Sequence, residues 1–408
     1  MELSVADVRA ILLAAQGLVL PPPVAPTKQD VLAAIRRMGA LQIDAINVVA
    51  RSQYLVLWSR LGCYEPRWLD ELLAEGQLFE YWAHAACFLP IEDYPLYRRR
   101  MLDATGRWAH AARWAHTWLA ENGAAAERVL THIREQGGAR TSDFARTDGQ
   151  AGGWWNWKPE KAALEALHTA GKLMIARREG FQRVYDLRER VLPGWDDARA
   201  LTSDEALRAF VLRTVRSLGV APARWVPDYL RLAKRGIAAL LEGLAEEGVL
   251  VRARVTGWDE PIYLHPETLP TIEAIQGGAL RPTRTTLLSP FDPIIWDRDR
   301  ALELYGFAYR IEVYTPAAKR RYGYFTLPIL HDGTLVGRVD PKVERKAGRL
   351  VIRAAHLEPG VAVDEPLLVG LAEAVRDFAR FHEVAEVVVE RSDPAELAPA
   401  LRARLGAA

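Results

Sequence analysis

An internal repeat decides which fold this sequence predicts. Residues 167–173 read LHTAGKL and residues 244–250 read LAEEGVL, and their matching Leu and Gly positions are offset by 77 residues. In each copy a helical segment ends at a glycine, which suits the left-handed conformation that commonly closes a helix. Two short strand-like segments around a further glycine follow in each copy, and they predict a β-hairpin.

Shorter helical segments precede both copies. They are expected at 124–136 and 142–146 in the first copy and at 203–218 and 223–232 in the second. Three helices followed by a two-stranded wing form a winged helix-turn-helix domain. We therefore predict an α+β fold with three tandem winged helix-turn-helix domains, the first more divergent than the repeat. Their predicted bounds are 1–117, 118–198 and 199–280.

The last third of the chain, residues 281–408, predicts a C-terminal β-rich domain. Alternating apolar residues over 308–314 and 322–329 predict paired strands. The tip between them is named here the cationic loop, residues 315–322, and it carries Lys319, Arg320, Arg321 and Tyr322. The Asp-Gly pair at 332–333 predicts a second hairpin turn, and a helix over 363–382 and a strand over 386–389 follow.

The charge of the chain is distributed unevenly. The net charge of +1 over 408 residues argues against a polycationic coat for nucleic acid, but residues 307–349 hold nine basic and four acidic residues. Local positive charge is what binding of DNA phosphates requires. We predict that the cationic loop enters a groove, with its three cations on phosphates and Tyr322 as a wedge. The alternative is a solvated surface of Lys and Arg.

Cysteine usage favours a reducing compartment. Cys63 and Cys87 are too few for a disulfide framework. His84 lies three residues before Cys87, but these residues supply too few ligands for a zinc site, so two buried thiols are the simpler interpretation. No apolar run reaches the length of about 20 residues that a membrane span needs. We expect no membrane association, no metal and no organic cofactor.

The apolar segment 8–20 resembles the hydrophobic part of a signal peptide. It contains Arg9, however, and no basic segment precedes it. Ser4 and Asp7 have the spacing of a capping box, which predicts that an amphipathic helix begins here instead. The expected location is the cytoplasm, in association with the bacterial nucleoid.

Gln42-Ile43-Asp44 is the candidate for chemistry. Alternate residues of an extended chain share a face, so Gln42 and Asp44 are expected to point one way and Ile43 into the core. The amide can orient a water molecule or a substrate carbonyl, and the carboxylate can accept a proton or oppose a developing cation. This spacing is common, and a cap of the following turn is the simpler role for Asp44.

Four stretches of the chain resemble the AlkZ/YcaQ-type winged-helix DNA glycosylases. They are LQIDAINVVARS at 41–52, LWSRLG at 57–62, EYWAHAA at 80–86, and LSPFDP at 288–293 with WDR at 296–298. The resemblance implies three tandem winged helices and a C-terminal β domain that clamp DNA. It implies excision of alkylated purines, including unhooking of interstrand crosslinks formed through guanine N7. The Gln-x-Asp motif resembles the YcaQ-like branch.

The resemblance implies that Asp44 and Gln42 are catalytic. Alkylation at N7 makes the base a cationic leaving group, so the glycosidic bond breaks without a general acid. The enzyme must stabilise an oxocarbenium-like sugar and deliver water to its C1′ atom, and one carboxylate can do both, as in glycoside hydrolysis. We expect Asp44 to do so while Gln42 fixes the water or the sugar.

Further residues near these motifs have two interpretations each. Arg51 and Arg60 are predicted to bind DNA phosphates, and a plain role as surface or core-pairing arginines is the equal alternative. His84 and Trp82 are predicted to line the active site, whereas a satisfied core histidine is the alternative for His84. Asp292 is predicted to be a turn residue.

The predicted partner is double-stranded DNA carrying alkylated or crosslinked purines, bound by a monomer because a three-domain clamp needs one chain. A transcriptional regulator without catalysis is the first alternative, and it would usually dimerise on two half-sites. A protein-docking scaffold is the second, and it would show no salt-dependent affinity for duplex. The tryptophan-rich segment 154–157 is predicted to pack between domains rather than to stack on bases.

Overall fold

The computed structural model describes residues 1–103, 105, 110–145 and 157–406. This part of the chain is α+β, and it forms two compact units. One unit comprises Met1–Glu65 with Leu212–Ala408, and the other comprises Pro66–Val211. The predicted division into four domains has other boundaries and stays a prediction. Most of the segment 154–157 lies outside the described residues.

The described chain contains both helices and strands throughout its length. The α-helices are α1 (Val5–Ala15), α2 (Lys28–Met38), α3 (Ser52–Leu61), α4 (Arg67–Ala74), α5 (Tyr94–Met101), α6 (His110–Glu121), α7 (Gly123–Gln136), α8 (Pro159–Thr169), α9 (Arg188–Val191), α10 (Ser203–Leu218), α11 (Val226–Tyr229), α12 (Ile237–Glu246), α13 (Leu269–Gln276), α14 (Arg298–Tyr305), α15 (Glu365–Phe381) and α16 (Leu397–Gly406). The strands are β1 (Glu2–Leu3), β2 (Leu41–Gln42), β3 (Leu78–Trp82), β4 (Ala86–Pro90), β5 (Leu173–Glu179), β6 (Gln182–Leu187), β7 (Val220–Pro222), β8 (Val251–Val255), β9 (Ile262–Leu264), β10 (Thr286–Leu287), β11 (Leu327–His331), β12 (Thr334–Glu344), β13 (Arg349–Leu357), β14 (Glu386–Val389) and β15 (Ser392–Asp393).

The predicted capping box at the start of α1 is confirmed. The Asp7 N–H donates to Ser4 Oγ at 3.1 Å, and the Ser4 N–H donates to the Asp7 carboxylate at 2.8 Å. These two bonds satisfy backbone donors that the first turn of a helix leaves unpaired. The apolar stretch that follows therefore begins as a helix, with Val8, Ile11 and Leu12 fully buried.

Gly39 ends α2 and turns the chain into β2. Its φ of +75° lies in the left-handed region that glycine adopts without strain. A Cβ at this position would lie 2.9 Å from Arg213 Nε and 2.9 Å from Ser217 Oγ. Both the backbone conformation and the close approach therefore require glycine at the entry to the Gln-x-Asp motif.

The two copies of the repeat contain the predicted order of helix, glycine and hairpin. Helix α8 is followed by Gly171 (φ +67°) and the β5–β6 hairpin, and α12 is followed by Gly248 (φ +74°) and the β8–β9 hairpin. The first hairpin strand pair is extended by a bridge from Ala139 to Tyr185, and the second by β7. The number of winged helices in the chain stays a prediction.

The first unit contains two sheets. The smaller has the strand order β1-β8-β9-β7, and the larger has the order β10-β11-β12-β13-β14 with β15 beside β13. The β11–β12 hairpin turns at Asp332 (φ +44°) and Gly333 (φ +75°), which confirms the predicted Asp-Gly turn. The predicted helix over 363–382 and the predicted strand over 386–389 are present as α15 and β14.

The prediction of paired strands over 308–314 and 322–329 is wrong, because residues 306–326 contain no strand and β11 begins only at Leu327. The Glu312 carboxylate instead accepts the backbone N–H groups of Arg321, Tyr322 and Gly323, at 2.9, 2.8 and 3.1 Å. These donors are thereby unavailable to a strand ladder. The cationic loop is consequently an irregular loop, not a hairpin tip.

The two cysteines differ in exposure. Cys87 lies buried in β4, as predicted, whereas Cys63 is exposed just after α3, so the prediction of two buried thiols is wrong for Cys63. The chain turns at Gly62, which leaves the following side chain at the surface. Among the described helices, none has the length and apolar character needed to cross a membrane.

Candidate active site

The Gln-x-Asp motif lies where β2 gives way to an irregular segment before α3. This segment, residues 43–51, is named the motif loop. Gln42 and Ile43 are buried, whereas Asp44 is half-buried and Ala45 is exposed. The motif therefore runs from the core to the surface, and the carboxylate is the chemical group nearest to solvent.

The Asp44 carboxylate is held in a defined position. Its Oδ1 accepts the Ile46 N–H at 2.7 Å, and its own backbone N–H donates to Oε1 of the buried Gln53 at 3.3 Å. Burial raises the pKa of Asp44 above its ordinary value, and the bond from Ile46 offsets part of that rise. A raised pKa makes the ionised carboxylate a stronger base.

Gln42 contributes an oxygen atom without a protein partner. The residue is 9% exposed, and its Oε1 is buried with no hydrogen-bond partner among the described residues. Buried polar atoms are rarely unsatisfied in folded proteins, and each such atom needs an explanation. A water molecule or a substrate hydroxyl bonded to Gln42 Oε1 would supply one.

Residues from distant parts of the sequence hold the motif loop in place. The Ser52 and Ser289 hydroxyls are hydrogen-bonded to each other, and Ser289 Oγ also accepts the Phe291 N–H at 3.2 Å. Within the loop, Arg345 Nη2 donates to the Val49 carbonyl at 2.6 Å. The first and last stretches of the family resemblance therefore meet in one unit.

Arg60 is placed in the core rather than at the surface. It forms a two-pronged ion pair with Asp292, at 2.6 and 3.0 Å, and it also donates through Nε to the Gln16 carbonyl at 3.0 Å. This geometry matches the core-pairing alternative for Arg60. Asp292 is a turn residue as well, since its Oδ1 accepts the Ile294 N–H at 3.0 Å.

The predicted DNA contacts lie at different depths. Arg51 is half-buried and directly precedes α3, whereas Lys319 and Arg321 are exposed. Arg320 is half-buried and donates to the Thr315 carbonyl at 2.9 Å. Their contacts with DNA stay predictions.

Tyr322 is anchored to the large sheet. Its ring centroid lies 4.1 Å from the guanidinium carbon of Arg338 and 5.3 Å from the His356 ring. Arg338 is itself buried and paired with Glu358 at 2.5 Å. The ring is therefore packed, and the prediction that it wedges between bases would require it to leave Arg338.

The third stretch of the resemblance, residues 80–86, lies in the β3–β4 hairpin of the other unit. Glu80 is completely buried between Arg178, at 2.7 Å, and Arg183. Burial alone would raise the pKa of Glu80, but Arg183 and Arg178 outweigh it and hold the pKa below its ordinary value. The pairing of Glu80 with two arginines was not predicted from the sequence. A carboxylate inside an apolar strand does indicate that a buried cation will pair with it.

Trp82 and His84 lie at the turn of this hairpin, beyond the paired Glu80. Trp82 is 37% exposed and His84 is half-buried, and the Ala83 N–H closes the turn on the Ala85 carbonyl at 2.8 Å. The hairpin and the motif loop belong to different units. That Trp82 and His84 line the same site as Asp44 stays a prediction. In the described part of the chain, no three His, Cys, Asp or Glu residues are grouped to hold a metal ion.

Comparisons with known proteins give the family of the chain and a similar fold. A family model described as DNA glycosylase AlkZ-like matches residues 35–381, which include all four stretches named above. The fold is similar to that of the Streptomyces sahachiroi DNA glycosylase AlkZ, with a TM-score of 0.63 and 17% sequence identity over 96% of this chain and 100% of that chain. Because the family model matches well over half of the residues, this chain belongs to the DNA glycosylase AlkZ-like family.

Proposed function

We propose that this DNA glycosylase hydrolyses the N-glycosidic bond of N7-alkylated purines in duplex DNA, including purines in interstrand crosslinks. Asp44 and Gln42 are the proposed catalytic residues. The observation that carries the proposal is the Asp44 carboxylate, which is half-buried, has a raised pKa and uses only Oδ1 for the Ile46 N–H. It stands two residues from a buried amide oxygen that lacks a partner.

The chemistry balances without a general acid. An N7-alkylated purine carries a positive charge, so the bonding electron pair of the C1′–N9 bond leaves with the base and neutralises it. The sugar becomes an oxocarbenium ion, and the ionised Asp44 opposes its charge. Water then attacks C1′ and gives one proton to Asp44, while its other O–H donates a hydrogen bond to Gln42 Oε1 and remains as the hydroxyl on C1′. The products are the neutral alkylated base and an abasic sugar.

The magnitude of this effect is sufficient for catalysis. Two unit charges 4 Å apart interact by about 4 kcal/mol at the effective dielectric constant of a protein surface. That energy corresponds to about a 10³-fold rate increase if it arises only in the transition state. General-base catalysis by a positioned carboxylate adds a factor that is typically about 10²–10⁴.

The substrate range follows from the same chemistry. A crosslinked guanine is tethered to the opposite strand, so it does not rotate freely into a deep pocket of the kind that base-flipping enzymes use. The half-buried position of Asp44, next to the exposed Ala45, supports an open site. The aspartate in the motif supports broad repair of alkylation damage rather than resistance to one natural product. We propose that a monomer acts, with Arg51 and the cationic loop on the DNA backbone.

The decisive test is excision from a duplex that carries one N7-methylguanine, read as strand breakage at abasic sites after alkaline treatment. A second duplex with one N7-linked interstrand crosslink tests unhooking, read as release of single strands on a denaturing gel. Breakage no faster than spontaneous depurination would refute the proposed activity. Sequence-selective binding without breakage would instead indicate a regulator.

Asp44→Asn is the matched variant for this test, because asparagine keeps the oxygen that accepts the Ile46 N–H. We expect single-turnover excision to fall about 10²–10⁴-fold, with duplex affinity within a few-fold of wild type. A collapse of affinity together with activity would show that Asp44 holds the fold of the motif loop rather than taking part in the reaction.

A further inference from the structure

The turn between β12 and β13, residues 345–348, brings positive charge to the motif loop. Strand β12 ends at Glu344 and β13 begins at Arg349, and a single helical turn closed by Gly348 (φ +63°) connects them. Arg345 and Lys346 are both exposed on this turn. The segment belongs to the basic stretch 307–349, but it is distinct from the cationic loop.

The cations near this turn differ in how their charges are balanced. Arg349 Nε is paired with Glu344 at 2.7 Å, and Lys342 lies 3.8 Å from the same carboxylate. Lys346 has no hydrogen bond or ion pair within the described chain, so its charge is available to a partner outside it. A phosphate group is the chemical complement of such an ammonium group on a DNA-binding protein.

Arg345 places the turn against the motif loop. Its Nη2 donates to the carbonyl of Val49 at 2.6 Å, five residues after Asp44 and two before Arg51. Lys346 follows Arg345 directly in the chain, and consecutive Cα atoms are about 3.8 Å apart. Burial and the nearby Arg345 lower the pKa of His382 to about 4, which leaves that histidine neutral.

We propose that the 345–348 turn binds the DNA backbone beside the damaged nucleotide, with Lys346 contacting a phosphate and Arg345 positioning the motif loop. The placement beside the damaged nucleotide rests on the proposed role of Asp44. The turn thus joins two tasks: Lys346 fixes the duplex, and Arg345 fixes the loop that carries the reacting carboxylate. A phosphate gripped here is aligned with the sugar that Asp44 faces.

The phosphate contact is tested on undamaged duplex by fluorescence anisotropy at several salt concentrations. Each phosphate contact contributes about 0.9 to the slope of log affinity against log salt for B-form DNA. We expect Lys346→Gln to reduce the slope by about that amount. Arg349→Gln is the matched control, since it removes the same charge from the same hairpin but from a residue already paired with Glu344. A slope unchanged by Lys346→Gln, or lowered equally by both variants, would overturn the contact.

The positioning role is tested by single-turnover excision at saturating enzyme. Arg345→Gln should lower the excision rate more than it weakens binding, and Arg345→Lys should restore part of the rate because lysine can still donate to the Val49 carbonyl. Equal rates for wild type and Arg345→Gln would overturn this role. The salt measurement needs no excision, so it remains decisive for Lys346 even if N7-methylguanine proves not to be a substrate.

Discussion

Replacing Arg60 distinguishes a structural ion pair from a DNA contact. The side chains of Arg60 and Asp292 are 3% and 0% exposed. A guanidinium group has five N–H donors, and this one has six acceptor contacts, three of which share the two hydrogens of Nη1. Nε donates to the Gln16 carbonyl, Nη1 to the Val56 carbonyl, the Ser59 hydroxyl and Asp292, and Nη2 to Asp292 and Gln16 Oε1. No N–H group of Arg60 remains for a phosphate.

Removing one member of a buried ion pair leaves the other charge uncompensated, which costs about 3–5 kcal/mol of unfolding free energy. We expect a loss of this size for Arg60→Met, whose side chain keeps most of the apolar stem. Urea denaturation followed by tryptophan fluorescence measures it as a lower midpoint at an unchanged slope. A double variant, Arg60→Met with Asp292→Leu, should lose less than the sum of the two single variants, because no buried charge is left unpaired.

Arg67→Met is the matched control for this experiment. Arg67 also pairs with a carboxylate on its own helix, but the two side chains are 72% and 39% exposed and the atoms are 3.9 Å apart. An exposed pair of this kind is worth less than about 1 kcal/mol. The opposing outcome is that Arg60→Met leaves the midpoint unchanged and lowers the salt slope of DNA binding by about 0.9. That result would refute the structural role of the ion pair and support the phosphate contact predicted from sequence.

Three further outcomes follow from the charges of the two units. Because the pKa of Asp44 is raised, the excision rate should fall as the pH drops through a value above the ordinary pKa of about 3.9, and a pH–rate profile whose acid limb lies at or below that value would contradict the role of Asp44. The pKa of Glu80 is lower in the folded state, so the ionised carboxylate stabilises the fold above its unfolded pKa, and this stabilisation is lost as the pH falls through the folded pKa. The denaturation midpoints of wild type and Glu80→Gln should therefore converge in acid. A difference that stays constant with pH would contradict the pairing of Glu80 with Arg178 and Arg183. Neutralising Lys319, Arg320 and Arg321 to glutamine should lower the salt slope by about 0.9 for each phosphate bound, and an unchanged slope would remove the cationic loop from the DNA surface.

Local signals in the sequence predicted the elements that local interactions form. The Ser4–Asp7 capping box, the glycines after α8 and α12 and the Asp-Gly turn each depend on residues within a few positions of one another. Their backbone requirements can be read from residue type alone. The two hairpins of the repeat were predicted for the same reason, since each follows its helix directly in the chain.

The strand expected over 308–314 was not predicted correctly, because its formation depends on a contact that local sequence does not show. The alternation of apolar residues in that segment is typical of a strand, but a strand also needs a partner with free backbone donors. Glu312 takes the N–H groups of three residues that would have supplied them. Nothing in the alternation indicates that one glutamate will fold back onto residues 9 to 11 positions later in the chain.

Contacts between residues far apart in the sequence also determine which cations are available to bind DNA. The net charge of the basic stretch 307–349 predicted that it binds phosphate. A net charge does not distinguish Arg338, which is buried and paired with Glu358, from Lys346, which is exposed and unpaired in the described chain. The distinction depends on contacts between residues far apart in sequence, of which Arg345 with Val49, 296 positions away, is the most consequential. Since counterion release depends on unpaired charge at the contact surface, a nearly neutral chain can bind a duplex through few residues. The salt slope of wild type should accordingly be small for a protein with 53 basic residues, and it should depend more on Lys346 than on any paired arginine of the same stretch.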